Sequence, residues 1–275
     1  MRPTSSLVLL TSTLLLSTIA SAQSTRGPPE ILVYSKTAGY RHDSIPVAID
    51  ALQAIASTTN LYTPTFSEDE AVFTSDQLAA YKAIVFLSNS DQVLTSSGED
   101  ALTEWLGNGG ALVGLHAATA CLFNDTAFGV AIGSWFNRHP TIQNATFTKL
   151  VEHETVSMLP DRFNTFEEVY SFRSDPRAVN ATVLLTVDPD SYVDSDKPTS
   201  SGIDAPYYQG TPHPIAWYRD AGSNVDLSNG TVENSPRMNG RMWMTSLGHT
   251  NETWRSEIHL QHVEAGLRWA LADFA

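Results

Sequence analysis

The chain has 275 residues, with 16 Lys and Arg against 30 Asp and Glu, and its formal net charge is −14 at pH 7. This acidic balance disfavours nucleic acid and anionic membranes as partners, because both carry negative charge themselves. The chain has 1 cysteine, which excludes an internal disulfide, so the fold has to depend on its hydrophobic core. A neutral partner such as a small carbohydrate is compatible with this composition.

The N-terminus has the pattern of a secretory signal peptide. Arg2 supplies the positive charge, a Leu-rich apolar stretch follows, and Ala20-Ser21-Ala22 is a small-residue cleavage site. We therefore expect residues 1–22 to be removed, residues 23–29 to form a short linker, and residues 30–275 to form a single domain.

Five Asn-x-Thr sequons support the same location. Such sites accept glycans only in a secreted protein, so with the signal peptide they favour an extracellular glycoprotein of a eukaryote. The sequons begin at Asn124, Asn144, Asn180, Asn229 and Asn251.

The first half of the chain alternates apolar strands with helices. Strands are predicted at residues 30–34, 60–67, 83–88 and 111–115, and helices after Ser44, at 74–81 and at 95–110. Ser44 can cap the first of these helices, and Pro46 fits its first turn, where a missing N–H costs nothing. In the 95–110 helix we expect the inward residues to be Ala101, Leu102, Trp105 and Leu106.

This alternation predicts the sheet type and the place of the site. Strands that are apolar without alternation are buried on both faces, which is typical of a parallel sheet covered by helices. In such α/β sheets, ligands bind beyond the carboxyl ends of the strands. The loops expected at that edge are residues 35–43, 88–93 and 116–124.

The second half is richer in strand-like segments, and we expect some of them to extend the sheet in antiparallel fashion. The polar segment 188–213 is predicted to be a long solvated loop, since its aspartates do not have the spacing of a Ca²⁺-binding loop. A helix is predicted from about Arg255, and its apolar face comprises Leu260, Val263, Leu267 and Leu271.

Several catalytic motifs are absent from the sequence. It has no Gly-x-Ser-x-Gly nucleophile elbow, no phosphate-binding Gly-rich loop after a strand and no His-Glu-x-x-His zinc motif. Cys121 lies in an apolar stretch and is predicted to be a buried, unreactive thiol. We therefore expect no cofactor and no cysteine nucleophile.

Three of the eight histidines follow predicted strands. His42 follows the first strand, His116 follows the 111–115 strand, and His249 joins them at the carboxyl edge if its own strand is parallel. An imidazole there can transfer protons, hold a metal or donate a hydrogen bond to a sugar, while the alternative for each is a structural histidine. His153, His259 and His262 are candidates for structural or surface positions. His259 and His262 are three residues apart on the last predicted helix, a spacing that can bind metal, but we expect surface display.

Two further side chains are candidates because of their spacing. Glu168 and Tyr170 are two residues apart in a predicted strand, and alternation places them on the same face. A carboxylate and a phenol facing a cleft can act as base and acid or can orient a histidine. The alternative is an ordinary exposed strand face.

The order of these motifs resembles the trehalose-utilisation (ThuA-like) family over nearly all of residues 30–272. The matching segments are "ILVYSKTAGYRHDSIP", "GGALVGLHAATA", "WFNRHP", "FEEVYSF", "HPIAWYRD" and "RMWMTSLGHT". The resemblance implies a flavodoxin-like three-layer α/β fold with a mostly parallel sheet, related to class I glutamine amidotransferases. In those enzymes a cysteine occupies the strand tip where this chain has His116, so glutaminase chemistry is not expected. We interpret the chain as a secreted, fungal member of the family.

The resulting hypothesis is a secreted enzyme that hydrolyses, eliminates or isomerises a sugar or keto-sugar. The expected catalytic residues are His42, His116, Glu168 and His249, with His42 and His116 as the acid/base pair and Glu168 orienting one of them. Contacts to sugar are expected from Lys36, Tyr40, Arg41, His139, Tyr170, His213, Trp217 and Thr250. The alternatives are a metal-dependent variant in which the histidines hold a divalent ion, a non-catalytic carbohydrate-binding module, and a domain kept for protein partners.

Overall fold

A computed structural model of the protein describes residues 27–195, 209–223 and 238–272. The predicted signal peptide, the sequon at Asn229 and residues 196–208 of the predicted polar loop lie outside the described residues. Within the described ranges, none of the helices combines the length and the apolar character needed to cross a bilayer.

The described residues form eleven strands and five α-helices. The strands are β1 (Glu30–Tyr34), β2 (Thr63–Ser67), β3 (Ala83–Leu87), β4 (Ala111–Leu115), β5 (Phe136–Arg138), β6 (Gln143–Lys149), β7 (Arg162–Glu167), β8 (Ser171–Phe172), β9 (Thr182–Val187), β10 (Pro214–Arg219) and β11 (Met242–Thr245). The helices are α1 (Ile45–Thr59), α2 (Ser75–Leu78), α3 (Ser96–Gly107), α4 (Thr126–Ile132) and α5 (Glu257–Leu271). Short 3₁₀ turns cover Glu70–Val72, His116–Ala120, Pro176–Val179 and Thr253–Arg255.

Nine of these strands form one sheet in the order β2-β1-β3-β4-β11-β10-β9-β6-β7. The strands from β2 to β11 in this order run parallel, and the pairs from β11 onward are antiparallel. Strands β5 and β8 pair separately. The predicted α/β fold, with a mostly parallel central sheet and antiparallel strands in the second half, is therefore confirmed.

Two apolar layers cover the sheet because the central strands have no polar face. In β1, Ile31 and Val33 pack with the residues of α1 and α5, such as Leu52 and Val263, while Leu32 packs on the other face. Each fully buried side chain of this type stabilises the fold by about 1.5–3 kcal/mol. The alternation of side chains along fully buried strands thus produces a three-layer arrangement.

Local predictions in the first half are confirmed except at Ser44. Helix α3 is capped by Thr95, whose hydroxyl accepts a hydrogen bond from the N–H of Gly98. The side chain of Ser44 does not cap α1; its hydroxyl donates instead to the carbonyl of Gly248 at 3.3 Å. That acceptor lies 204 residues away in the chain, so a local pattern could not predict it.

Two predictions in the second half are also wrong. Strand β7 ends at Glu167 and β8 begins at Ser171, so Glu168 and Tyr170 lie between strands rather than in one. His259 and His262 are buried on the inner face of α5 rather than displayed on the surface. In both cases tertiary packing decides the position, and the local spacing does not.

Candidate active site at the carboxyl edge of the sheet

The histidines that follow β1, β4 and β11 meet at one edge of the sheet. Strand β11 pairs with β4 in parallel, with Thr245 opposite Leu115. This pairing meets the condition on which the predicted position of His249 depended. His42, His116 and His249 therefore lie together beyond the carboxyl ends of parallel strands, where ligands bind in open α/β sheets.

His116 occupies a strained position at the tip of β4. Its φ is 53°, in the left-handed region that a residue with a β-carbon avoids at a cost on the order of 1–3 kcal/mol. The Nδ1 atom lies 2.8 Å from the carbonyl oxygen of Ser246. Because a carbonyl only accepts, Nδ1 carries the proton, and the lone pair of Nε2 faces the other histidines.

We call His42, His116, Glu168 and His249 the histidine–glutamate cluster. The Nε2 atoms of His42 and His116 are 3.0 Å apart, and Glu168 Oε2 is 2.9 Å from His249 Nδ1 and 3.7 Å from His116 Nε2. One nitrogen or oxygen of each residue lies within 4.8 Å of the other three. These are the atom types that bind divalent transition metals, so the cluster could hold an ion.

Burial sets different protonation states within the cluster. Burial, assisted by the charge of His249, lowers the pKa of His42 to about 4, and burial beside His42 holds the pKa of His116 well below its usual value. At His249 burial also lowers the pKa, but the contact with Glu168 and its charge outweigh burial and raise the pKa overall. His42 and His116 are therefore neutral near pH 7, while His249 is the imidazole most readily protonated.

Tyr170 closes the inner side of the cluster. Its hydroxyl lies 3.0 Å from His116 Nε2. Burial and the nearby Glu168 carboxylate raise the pKa of Tyr170 well above its ordinary value, so the phenol keeps its proton. The hydroxyl can therefore act as a donor to the ring nitrogen.

Exposure to solvent differs among the side chains of the cluster and its neighbour His139. The side chain of His116 is 0% exposed, whereas those of Glu168, His249 and His139 are 9%, 20% and 34% exposed. His139 Nε2 lies 3.2 Å from Glu168 Oε1. A ligand that enters from solvent would thus meet His139 and His249 before the more deeply buried Glu168, His42 and His116.

Glu167 is a site residue that the sequence reasoning missed. Its buried carboxylate accepts hydrogen bonds from the N–H of Gly248 at 2.9 Å, the N–H of His249 at 3.2 Å and the hydroxyl of Thr253 at 2.6 Å. Burial raises the pKa of Glu167, and these donors oppose that rise. The carboxylate fixes the backbone that carries His249, yet these three donors lie more than 80 residues away and leave no local signal.

The loop after β3 fixes the segment that carries His42. The amide of Asn89 donates to the carbonyls of Tyr34 and Lys36 at 3.2 and 3.0 Å. The hydroxyl of Ser90 donates to the carbonyl of Tyr40 at 2.7 Å. The predicted 88–93 loop therefore belongs to the site as a support, and its position after a buried strand was the available signal.

The first three predicted sugar contacts differ in what they offer to a ligand. Tyr40 is 65% exposed, and its ring meets that of His42 edge-on with centroids 4.8 Å apart. Lys36 and Arg41 form ion pairs at 2.7 Å with Glu70 and Glu68 respectively. Tyr40 therefore offers a ring face to a ligand, while the two cations are already engaged.

The other predicted contacts are mostly turned inward. Trp217 is completely buried and its indole N–H donates to the carbonyl of Ile132 at 2.9 Å, so it has no ring face open to a sugar. Thr250 accepts a hydrogen bond from the N–H of Thr253 at 3.0 Å. His213 Nε2 lies 2.7 Å from the carbonyl oxygen of Tyr170. His213 and Thr250 thus support the loops around the cluster.

Comparison with solved structures reproduces the fold. The chain is similar to a ThuA-like protein of Bacteroides uniformis, with 19% identity over 91% of this chain and 94% of that one and a TM-score of 0.64. A ThuA-like protein of Parabacteroides merdae gives 17% identity, 89% and 90% coverage and a TM-score of 0.62. A cytoplasmic protein of Salmonella typhimurium gives 10% identity, 87% and 98% coverage and a TM-score of 0.54. At these identities the likeness shows the fold alone.

Comparison at the level of sequence gives the family. A search among curated proteins gives no match. The sequence profile described as trehalose utilisation (ThuA) matches residues 30–270, which include every residue of the histidine–glutamate cluster. The chain belongs to the trehalose-utilisation family.

Proposed function

We propose that the protein is a secreted carbohydrate-active enzyme and that the histidine–glutamate cluster is its reaction centre. The observation that carries this proposal is the convergence of imidazoles on Glu168. Its carboxylate oxygens lie 2.9 Å from His249, 3.2 Å from His139 and 3.7 Å from His116. Membership in the trehalose-utilisation family supports a sugar or keto-sugar as the substrate.

In this proposal the contact between Glu168 and His249 supplies the acid and the base. Hydrolysis, elimination and isomerisation of a sugar all remove a proton from one atom and deliver a proton to another. Glu168 is positioned to accept a proton, and His249, whose pKa is raised beside Glu168, is positioned to donate one. In this assignment His42, His116 and Tyr170 orient the two reacting groups from behind.

A neutral substrate fits the surroundings of the cluster. The formal net charge of −14 and the carboxylate of Glu168 disfavour an anionic sugar. The exposed ring of Tyr40 beside the opening can pack against the apolar face of a sugar ring. We therefore place the sugar between Tyr40, His139 and His249.

Secretion is part of the proposal, and the sequons provide its test. Asn124, Asn144 and Asn180 are exposed, and Asn251 is partly exposed. Protein expressed from the full chain in a eukaryotic secretory host is expected to lose mass on treatment with an N-glycan-specific glycosidase. Unchanged mass together with retention of residues 1–22 would contradict secretion through this route.

The enzymatic function is tested by turnover. Wild type, Glu168→Gln and a control variant, His153→Ala, are incubated with a panel of neutral di- and oligosaccharides and their keto forms, and products are identified by mass spectrometry. His153 stacks on Tyr218 with ring centroids 4.0 Å apart and lies outside the cluster. We expect product from wild type and the control, and a loss of about 10²–10⁴-fold for Glu168→Gln, the usual contribution of a general acid or base.

The outcomes separate the enzyme from a binding module. Absence of product, with equal sugar binding by wild type and Glu168→Gln, would refute the enzymatic proposal and favour a non-catalytic carbohydrate-binding protein. Equal turnover by all three proteins would place the reaction centre elsewhere.

A further inference from the structure

We propose that the histidine–glutamate cluster binds one divalent transition-metal ion of the Zn²⁺ class. The ligand atoms would be His42 Nε2, His116 Nε2, His249 Nδ1 and a carboxylate oxygen of Glu168. This inference rests on the proposed function and revises its roles: with the ion bound, Glu168 and His249 are ligands, and proton transfer passes to His139. Metal binding can nevertheless be measured without any substrate.

The spacing of the ligand atoms agrees with such an ion. Bonds from Zn²⁺ to imidazole nitrogen are about 2.0–2.1 Å, so neighbouring ligands of a tetrahedral ion are about 3.3 Å apart. The cluster has contacts of 2.9, 3.0 and 3.7 Å between ligand atoms, and no pair is more than 4.8 Å apart. Shortening the widest separation by roughly 1.5 Å, from 4.8 Å to about 3.3 Å, would complete the tetrahedron.

Hydrogen bonding among the described residues does not pair the polar atoms of the cluster one to one. His116 Nε2 has one lone pair, yet both the hydroxyl of Tyr170 and Nε2 of His42 lie 3.0 Å from it. His249 Nδ1 has no hydrogen-bond partner of acceptable geometry within the described residues, although Glu168 Oε2 lies 2.9 Å away. A cation at the centre of the cluster could accept the lone pairs of all these nitrogen atoms at once, whereas hydrogen bonds between pairs of them cannot.

The surroundings hold the ligands in the orientation that a metal requires. Metal-binding histidines usually donate their second ring N–H to a carbonyl or carboxylate, which fixes the tautomer. His116 does so through Nδ1 and the carbonyl of Ser246 at 2.8 Å. The buried carboxylate of Glu167 fixes the backbone N–H of His249 at 3.2 Å. Two of the ligands are thus positioned by groups that are not ligands.

The bound ion would leave the solvent-facing side for the substrate. A divalent ion held by these four residues would supply a Lewis acid, and a sugar hydroxyl or carbonyl oxygen could bind it only as a fifth ligand, an expansion that Zn²⁺ sites allow. His139, 3.2 Å from the other oxygen of Glu168, stays outside the ligand set and is positioned to exchange a proton with the sugar. The neutral lone pairs of His42 and His116 would then serve the metal rather than the substrate.

The proposal is tested on mature protein without a polyhistidine tag, after dialysis against chelator. Zn²⁺ is titrated by calorimetry, the metal content after desalting is measured by mass spectrometry, and Co²⁺ absorption reports the ligand geometry. We expect about one ion per chain in wild type and in His153→Ala. We expect His249→Ala and Glu168→Ala to weaken binding by at least about 100-fold, since even changes in supporting groups cost about 10–100-fold.

The outcomes are distinct from those of the turnover assay. Each variant is first checked for a wild-type circular dichroism spectrum, and His249 and Glu168 serve as two independent ligand positions. No binding of Zn²⁺ by wild type, or equal binding by folded His249→Ala and Glu168→Ala, would overturn the metal site. Turnover by metal-free protein would refute the metal cofactor and support the enzymatic function. Stoichiometric metal binding without turnover would support the metal site and refute the enzymatic function.

Discussion

Replacing Glu167 by Gln is expected to destabilise the protein and to disorder the backbone at His249. The substitution keeps the shape of the side chain but removes its charge and replaces one acceptor oxygen with an NH₂ donor. The N–H groups of Gly248, His249 and Glu168 and the hydroxyl of Thr253 all point at the carboxylate. The NH₂ group of the new glutamine would therefore face N–H or O–H donors whichever of the two carboxylate oxygens it replaced.

The magnitude follows from the hydrogen bonds that would be lost. A hydrogen bond to a charged group contributes about 1.5–3 kcal/mol, and the amide can satisfy at most the donors around one oxygen. Burial raises the pKa of Glu167, so desolvation offsets part of this stabilisation. We expect Glu167→Gln to cost about 3 kcal/mol, which in a domain of this size lowers Tm by roughly 6–12 °C.

Thermal unfolding by calorimetry measures this cost, and Glu252→Gln is the matched control. Glu252 lies in the same loop and is exposed, so the control removes the same charge without removing buried acceptors. A surface change of this kind shifts stability by less than about 0.5 kcal/mol. Equal Tm values for the two variants would refute the claim that the buried carboxylate holds this segment.

Three further predictions concern stability and reactivity. Burial lowers the pKa of His259 to about 3 and that of His262 to about 4. The unfolded chain therefore binds more protons than the folded one below about pH 6.5, and folding stability falls as the pH is lowered. Unfolding in urea should show that the free energy of unfolding decreases by about 2 kcal/mol per imidazole between pH 7.5 and pH 5. Gly133→Ala should cost more than about 2 kcal/mol in the same assay, because φ is 103° and a β-carbon would lie 2.4 Å from the indole nitrogen of Trp217. The thiol of Cys121, fully buried with its pKa raised by burial, should not react with a thiol reagent until the protein unfolds.

Each of these predictions has its own control. In His259→Gln, the decrease in the free energy of unfolding between pH 7.5 and pH 5 should be smaller than in wild type. An unchanged decrease would show that this imidazole is not its cause. Gly109→Ala has a similar φ of 96° with no atom within 4 Å, so it isolates backbone strain from the clash at Gly133. Reaction of the native thiol at the rate seen in urea would show that Cys121 is accessible.

The sequence predicted those parts of the fold that depend on burial of continuous apolar segments. The strands at 30–34, 83–88 and 111–115 are buried on both faces, and their continuous apolar sequences therefore predict a parallel sheet covered by helices. Once the sheet is parallel, the residues that follow its strands must share an edge. His42 and His116 could therefore be placed together from their positions in the chain.

The rest of the site depends on contacts between distant segments. Glu168 and Tyr170 have strand spacing but lie in a break, and Glu167 faces partners more than 80 residues along the chain. Trp217 was expected to face a sugar, yet its strand is central enough for both faces to be covered. Burial of His116 likewise follows from packing against β11 and Tyr170, which no local pattern records.

The central claim is that carbohydrate is transformed at the histidine–glutamate cluster. A crystal structure of the Glu168→Gln variant with a saccharide from the turnover panel tests it most directly. We predict a sugar oxygen within hydrogen-bond distance, about 2.6–3.2 Å, of residue 168 or the imidazole of His249. A saccharide seated instead in the groove lined by Thr148, Arg162 and Tyr192, with the cluster unaltered, would contradict the account.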